Sequence, residues 1–84
     1  MTNPSGYSGN KFICKIVVLG EEVEIYGCFE KDTPEDRYEY FDLYVDGLCI
    51  NLGEPIYAEG KSKDWHPGVK DIEPFVELRT ELLR

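Results

Sequence analysis

Alternating apolar and polar residues fill four stretches of the chain, and a single stretch with helical spacing follows them. Over residues 11–19, Phe12, Cys14, Ile16 and Val18 occupy every second position, the period of a strand with one buried face. After Gly20 and Glu21 the alternation resumes over 22–30 with Val23, Ile25, Gly27 and Phe29. A two-residue loop with glycine first suits a type II′ hairpin turn. That turn predicts Val18 opposite Val23, Ile16 opposite Ile25, Cys14 opposite Gly27 and Phe12 opposite Phe29. Apolar residues then meet apolar residues, and a one-residue slip would destroy the match.

A polar segment containing Pro34 leads to a third strand, 38–46, with Phe41, Leu43 and Val45 inward. Asp46 and Gly47 form the dipeptide that type I′ hairpin turns prefer. It sets a fourth strand, 48–54, so that Val45 faces Leu48, Leu43 faces Ile50 and Phe41 faces Leu52. Pro55 ends that strand, and Ile56 with Tyr57 is read as a short edge extension. Ile72, Phe75, Val76, Leu78, Leu82 and Leu83 recur at helical spacing, which predicts a helix over 72–83. Asp71 is placed to cap it, with Glu73 and Pro74 in the first turn. The predicted fold is α+β: a four-stranded antiparallel meander with one C-terminal helix packed on one face.

Length allows one domain, placed at 11–84 behind a flexible tail of residues 1–10. With 42% hydrophobic residues and six Tyr, the composition is that of a folded chain. The formal net charge of −8 changes the picture most. Such a domain repels phosphate backbones and anionic lipid, so its natural macromolecular partner is basic protein. The plain alternative is that the charge serves solubility. The first residues lack the basic and apolar segments of a signal peptide, and no apolar run approaches the ~20 residues of a membrane span. Three cysteines then read as free thiols, and the expected location is cytoplasmic.

Little in the sequence points to chemistry. A Cys14, Cys28, Cys49 and His66 zinc site conflicts with strand parity, because Cys14 is inward whereas Cys28 and Cys49 are outward, facing Tyr40 and Tyr44. Two strands and four residues separate that pair, on the order of 15 Å. No metal and no cofactor are therefore expected. A thiol-dependent enzyme would need His66 to reach Cys28 or Cys49.

The outward face is more informative. Alternation places Ile13, Val17, Leu19, Tyr26, Cys28, Tyr38, Tyr40 and Tyr44 there, ringed by Glu22, Glu24, Glu30, Asp42 and Asp46. The first strand is thus apolar on both faces, which calls for a cover. The segment 56–68 with Trp65 as a lid, a second copy, or a partner protein would each supply one. Aromatic sheet faces also stack bases, but the acidic surround rejects direct nucleic-acid binding. On the helix, Glu73, Glu77 and Glu81 form a carboxylate row that suits either a solvated face or a mimic of a phosphate strand.

The resulting expectation is a small acidic, non-enzymatic interaction domain, of an inhibitor or immunity type, that engages a basic protein surface. Its expected contact residues are Tyr26, Glu30, Asp36, Glu39, Tyr40, Asp42 and Tyr44, where acids and tyrosines coincide. A homodimeric structural domain is the alternative, with a thiol-dependent enzyme behind it.

Overall fold

The computed structural model describes residues 9–29 and 37–82. Its elements are β1 (Gly9–Val18), β2 (Glu21–Phe29), β3 (Tyr40–Val45), β4 (Leu48–Cys49), β5 (Ile56–Tyr57) and α1 (Val69–Leu82). The strands form one antiparallel sheet in the order β1-β2-β3-β4, and β5 pairs with β3 beside β4. The α+β class and the meander are as the alternation predicted. Residues 1–8 of the expected tail lie outside the described residues, and Gly9 and Asn10 already pair with Phe29 and Cys28.

The first hairpin keeps its faces but changes its register. Leu19 and Gly20 are the turn residues, with φ of 51° and 81°, so the turn has the positive-φ pair of a type I′ loop. Ile16 therefore faces Val23 and Cys14 faces Ile25, a shift of two residues from the expected pairing. A shift of two returns every side chain to the same face, so alternation could not distinguish the two registers.

Farther along β1, a bulge at Ile13 separates the Cys14–Ile25 pair from the Phe12–Tyr26 pair. It reverses the parity of the strand's first half. Phe12, expected inward, stands on the outer face, and Ile13, expected outward, packs against the core. Tyr38 is also corrected from outer to inner. Its ring lies on Gly27, where a β-carbon would come within 2.5 Å of the ring, and 5.7 Å from Phe41. The inner space at that end of the sheet is thus filled from the loop side.

The second hairpin follows expectation at its turn. Asp46 and Gly47 take φ of 53° and 78°, and Val45 faces Leu48. Ile50 still donates its N–H to the Leu43 carbonyl at 2.8 Å. The predicted strand 48–54 then breaks. Leu52 and Gly53 repeat the positive-φ pair, at 49° and 85°, in a turn closed by Glu54 N–H to the Asn51 carbonyl at 2.7 Å. Ile56, not Leu52, arrives opposite Phe41, and Leu52 is exposed. The buried Asn51 side chain donates to the Phe41 carbonyl at 3.2 Å, a backbone acceptor that would be costly to leave unmet.

The core lies between the sheet's inner face and α1. Val18, Val23, Ile25, Phe41, Leu43, Val45 and Ile50 of the sheet side meet Ile72 and Val76 of the helix. Trp65 joins the same layer, its ring 5.6 Å from Phe41, so it covers the inner face and not the outer face of β1. The helix begins three residues earlier than its periodicity suggested. Gly68 occupies the cap position, and Asp71 sits one turn inside, accepting the Gly68 N–H at 2.9 Å. Pro74 consequently falls within the helix, past its first turn.

The expected apolar stripe narrows as well. Leu78 and Leu82 are exposed, and Leu83 lies outside the described residues. Arg79 occupies the inward position one turn beyond Phe75 and Val76. It reaches Glu21 at 3.0 Å and Asp46 at 3.7 Å, tying α1 to both hairpin ends. Among the described residues no helix is long and apolar enough to cross a membrane.

Candidate functional site on the outer face of the sheet

Alternation along β2 and β3 turns Glu22, Glu24, Tyr26, Cys28, Tyr40, Asp42 and Tyr44 away from the core. The bulge in β1 adds Phe12 to them. Phe12, Tyr26 and Tyr44 form a continuous row across three strands, with ring centroids 5.6 and 5.3 Å apart and near-perpendicular planes. Edge-to-face packing of this kind holds the rings in place while leaving part of each accessible. Tyr40 and Tyr57 make a second pair at 6.3 Å, where β5 lies against β3. Val17 extends the apolar surface along β1 and is 62% exposed. Lys15 on this face is engaged by Glu22 at 3.8 Å.

Between the aromatic groups lies a polar network centred on Asp42. Its carboxylate accepts the Cys28 thiol at 3.4 Å and the Asn51 amide at 3.5 Å. The Asn51 oxygen in turn accepts the Cys49 thiol at 2.6 Å. The two outward thiols are thus bridged through Asp42 and Asn51. Burial, followed by the negative charge of Asp42, pushes the Cys28 thiol up to about 12. Burial and then Asp42 also raise the Tyr44 hydroxyl. Both groups keep their protons at neutral pH, so this face presents hydrogen-bond donors and carboxylates. A raised thiol is the opposite of what a nucleophile needs.

His66 is placed far from that network. Its Nδ1 lies 3.9 Å from the Cys14 sulfur on the inner side and 3.0 Å from the Pro67 carbonyl. A ring nitrogen paired with a carbonyl must donate, so Nδ1 is not free to accept the Cys14 proton. Burial raises the Cys14 thiol too. The pairing of His66 with Cys28 or Cys49 is not formed. All three cysteines are free, and among the described residues no three His, Cys, Asp or Glu side chains group as a metal site requires.

Of the contact residues expected from sequence, Tyr26, Tyr40, Asp42 and Tyr44 come together here. Glu39 stands at the margin, its N–H bonded to the Cys28 carbonyl and its carbonyl to the Ala58 N–H. Glu30 and Asp36 lie outside the described residues. Phe12, Cys49, Asn51 and Tyr57 belong to the face but were missed as contacts. For Asn51 a signal existed, since an asparagine before Leu-Gly marks a turn. For Phe12 none did, because nothing local announces the bulge.

Comparison with family models, with characterised proteins and with solved structures finds no match for this chain.

Proposed function

We propose that the chain is a small non-catalytic interaction domain whose outer sheet face engages a basic protein surface, as an inhibitor or immunity-type protein does. The observation that carries this reading is the Phe12–Tyr26–Tyr44 row, locked edge to face and bordered by Glu22, Glu24 and Asp42. Ordered aromatics lose little conformational freedom on binding, and carboxylates around them steer and orient a cationic partner. The overall charge of −8 acts in the same direction. The raised thiol of Cys28 supports a structural role for the sulfurs.

The test begins with a partner co-purified from the native host. Its affinity should fall steeply with salt, because opposed surface charges are screened. Tyr26→Ala with Tyr44→Ala should weaken binding by about tenfold or more. Glu22→Lys with Glu24→Lys should cost more than Glu77→Lys with Glu81→Lys, although the net-charge change is equal. Equal losses would reduce the effect to net charge, a larger helix loss would move the site to the mimic-like carboxylate row, and salt-independent binding would remove the electrostatic reading.

One observation favours a second reading, a homodimer. β1 is an edge strand of 10 residues, and Phe12, Val17 and the turn residue Leu19 are all about half exposed or more. Val17→Lys should then convert a dimer to a monomer in sedimentation. A wild-type protein that is monomeric at high concentration ends this reading.

A further inference from the structure

A second site lies at the β5 end of the sheet, apart from the Phe12–Tyr26–Tyr44 row. Where β3 begins and the chain leaves β5, a cleft of about 600 Å³ opens, a size typical of small-molecule sites. Two consecutive turns build one wall. Lys61 N–H meets the Ala58 carbonyl at 2.9 Å, with Gly60 at a φ of 80°, and Trp65 N–H meets the Ser62 carbonyl at 3.1 Å. Arg37, Tyr38 and Glu39, which lead into β3, line the cleft as well.

The charge here departs from the rest of the molecule. Acids outnumber Lys and Arg by 17 to 9 in the chain, yet Arg37, Lys61 and Lys63 converge on this cleft. Among the described residues the ion-paired cations are Lys15 and Arg79, and none of these three. Lys61 instead sits over the Trp65 ring, 4.7 Å from its centroid. Three cations without an ion pair in one concavity, against two carboxylates, favour an anion. Tyr38, Tyr57, Trp65, Phe41 and Ala58 also line the cleft, apolar surface that a bare inorganic anion would leave unused.

We propose that this cleft binds a small phosphate carrying a planar ring, of the nucleoside monophosphate class. The phosphate lies among Arg37, Lys61 and Lys63, and the ring lies against the aromatic walls. Glu59, also in the lining, accepts a hydrogen bond from a sugar hydroxyl or an exocyclic amine. Three cations against Glu39 and Glu59 leave the lining one positive charge in excess, which suits a ligand of one or two negative charges. A polyphosphate chain leaving the cleft would run over a surface with a net charge of −8, so the site selects against polynucleotides.

The chain has one tryptophan, so the fluorescence of Trp65 reports on the site directly. Titration with adenosine monophosphate at low salt should give a saturable change, with half-saturation below about 1 mM. Adenosine and inorganic phosphate should each bind about tenfold or more weakly. Lys61→Gln with Lys63→Gln, and separately Arg37→Gln, should weaken binding by about tenfold, and Arg37→Gln, an exposed side chain, should leave the unfolding midpoint unchanged. Amide shifts on binding should centre on residues 57–65. The proposal is overturned by the absence of saturation up to about 10 mM, by variants that bind as the wild type does, or by shifts centred on the Phe12–Tyr26–Tyr44 row. Inorganic phosphate binding as well as the nucleotide would refute the ring's role. A short oligonucleotide binding more tightly would refute the preference for a small ligand.

Discussion

The two faces of the sheet are made from the same strands by the same alternation, yet they are finished differently. The inner face is apolar and closed by α1, Tyr38 and Trp65, and Val23, Ile25, Leu43, Ile72 and Val76 have no solvent exposure. The outer face has rings in edge contact, carboxylates between them and a thiol–amide–carboxylate network, and no element of the described chain crosses it. The inner face therefore holds most of the folding energy. The outer face is ordered by contacts that are individually weak, and it remains accessible.

The sharpest way to break that contrast is truncation on either side. Ile72→Ala should cost about 2–4 kcal/mol, because it removes a fully buried side chain at the helix–sheet contact. Tyr26→Ala on the outer face should cost only about 1 kcal/mol, the worth of its edge-to-face partners. Urea unfolding measures both, and equal losses would mean that the outer row is part of the core in energetic terms.

A smaller effect is expected from the seam between Gly27 and Tyr38. Gly27→Ala should destabilise by about 1–3 kcal/mol, since the new methyl must displace the Tyr38 ring. In a Tyr38→Ala background, Gly27→Ala should cost less, so the double variant should lose less than the sum. Additive losses in the double variant would show that the ring does not rest on Gly27.

A last comparison separates the outer face from the inner by pH. The Cys28 thiol is raised from 9.0 to about 12 in the folded chain, so the unfolded chain loses that proton first. Between those values the unfolded state binds fewer protons, and stability falls as pH rises. The contribution is fully present below pH 9.0 and is lost progressively toward about 12. Cys28→Ala should flatten this alkaline decline relative to wild type in unfolding midpoints measured across the range. An unchanged slope would show that burial and Asp42 do not raise the Cys28 thiol in the folded chain.

Much of this architecture is legible in the sequence. Asp46-Gly47 placed the second hairpin and its register at Val45 and Leu48, because that dipeptide admits few other conformations. Tyr26, Tyr40, Asp42 and Tyr44 were legible as one face because parity along β2 and β3 is uninterrupted. The basic cleft was not legible. Arg37 lies more than 20 residues from Lys61, and only the pairing of β5 with β3 brings them together.

By itself the sequence determined which residues of β2 and β3 point inward, the presence of a terminal helix and the acidic character of the surface. These follow from local periodicity and charge, which each segment carries without reference to the others. The tertiary structure alone decided the two-residue register shift at Leu19 and Gly20, the bulge at Ile13 and the seat of Tyr38 over Gly27. A register shifted by two leaves the same faces buried, and a bulge changes faces without a local mark. Only competition for the same inner space, among strands, loop and helix, chooses between such alternatives.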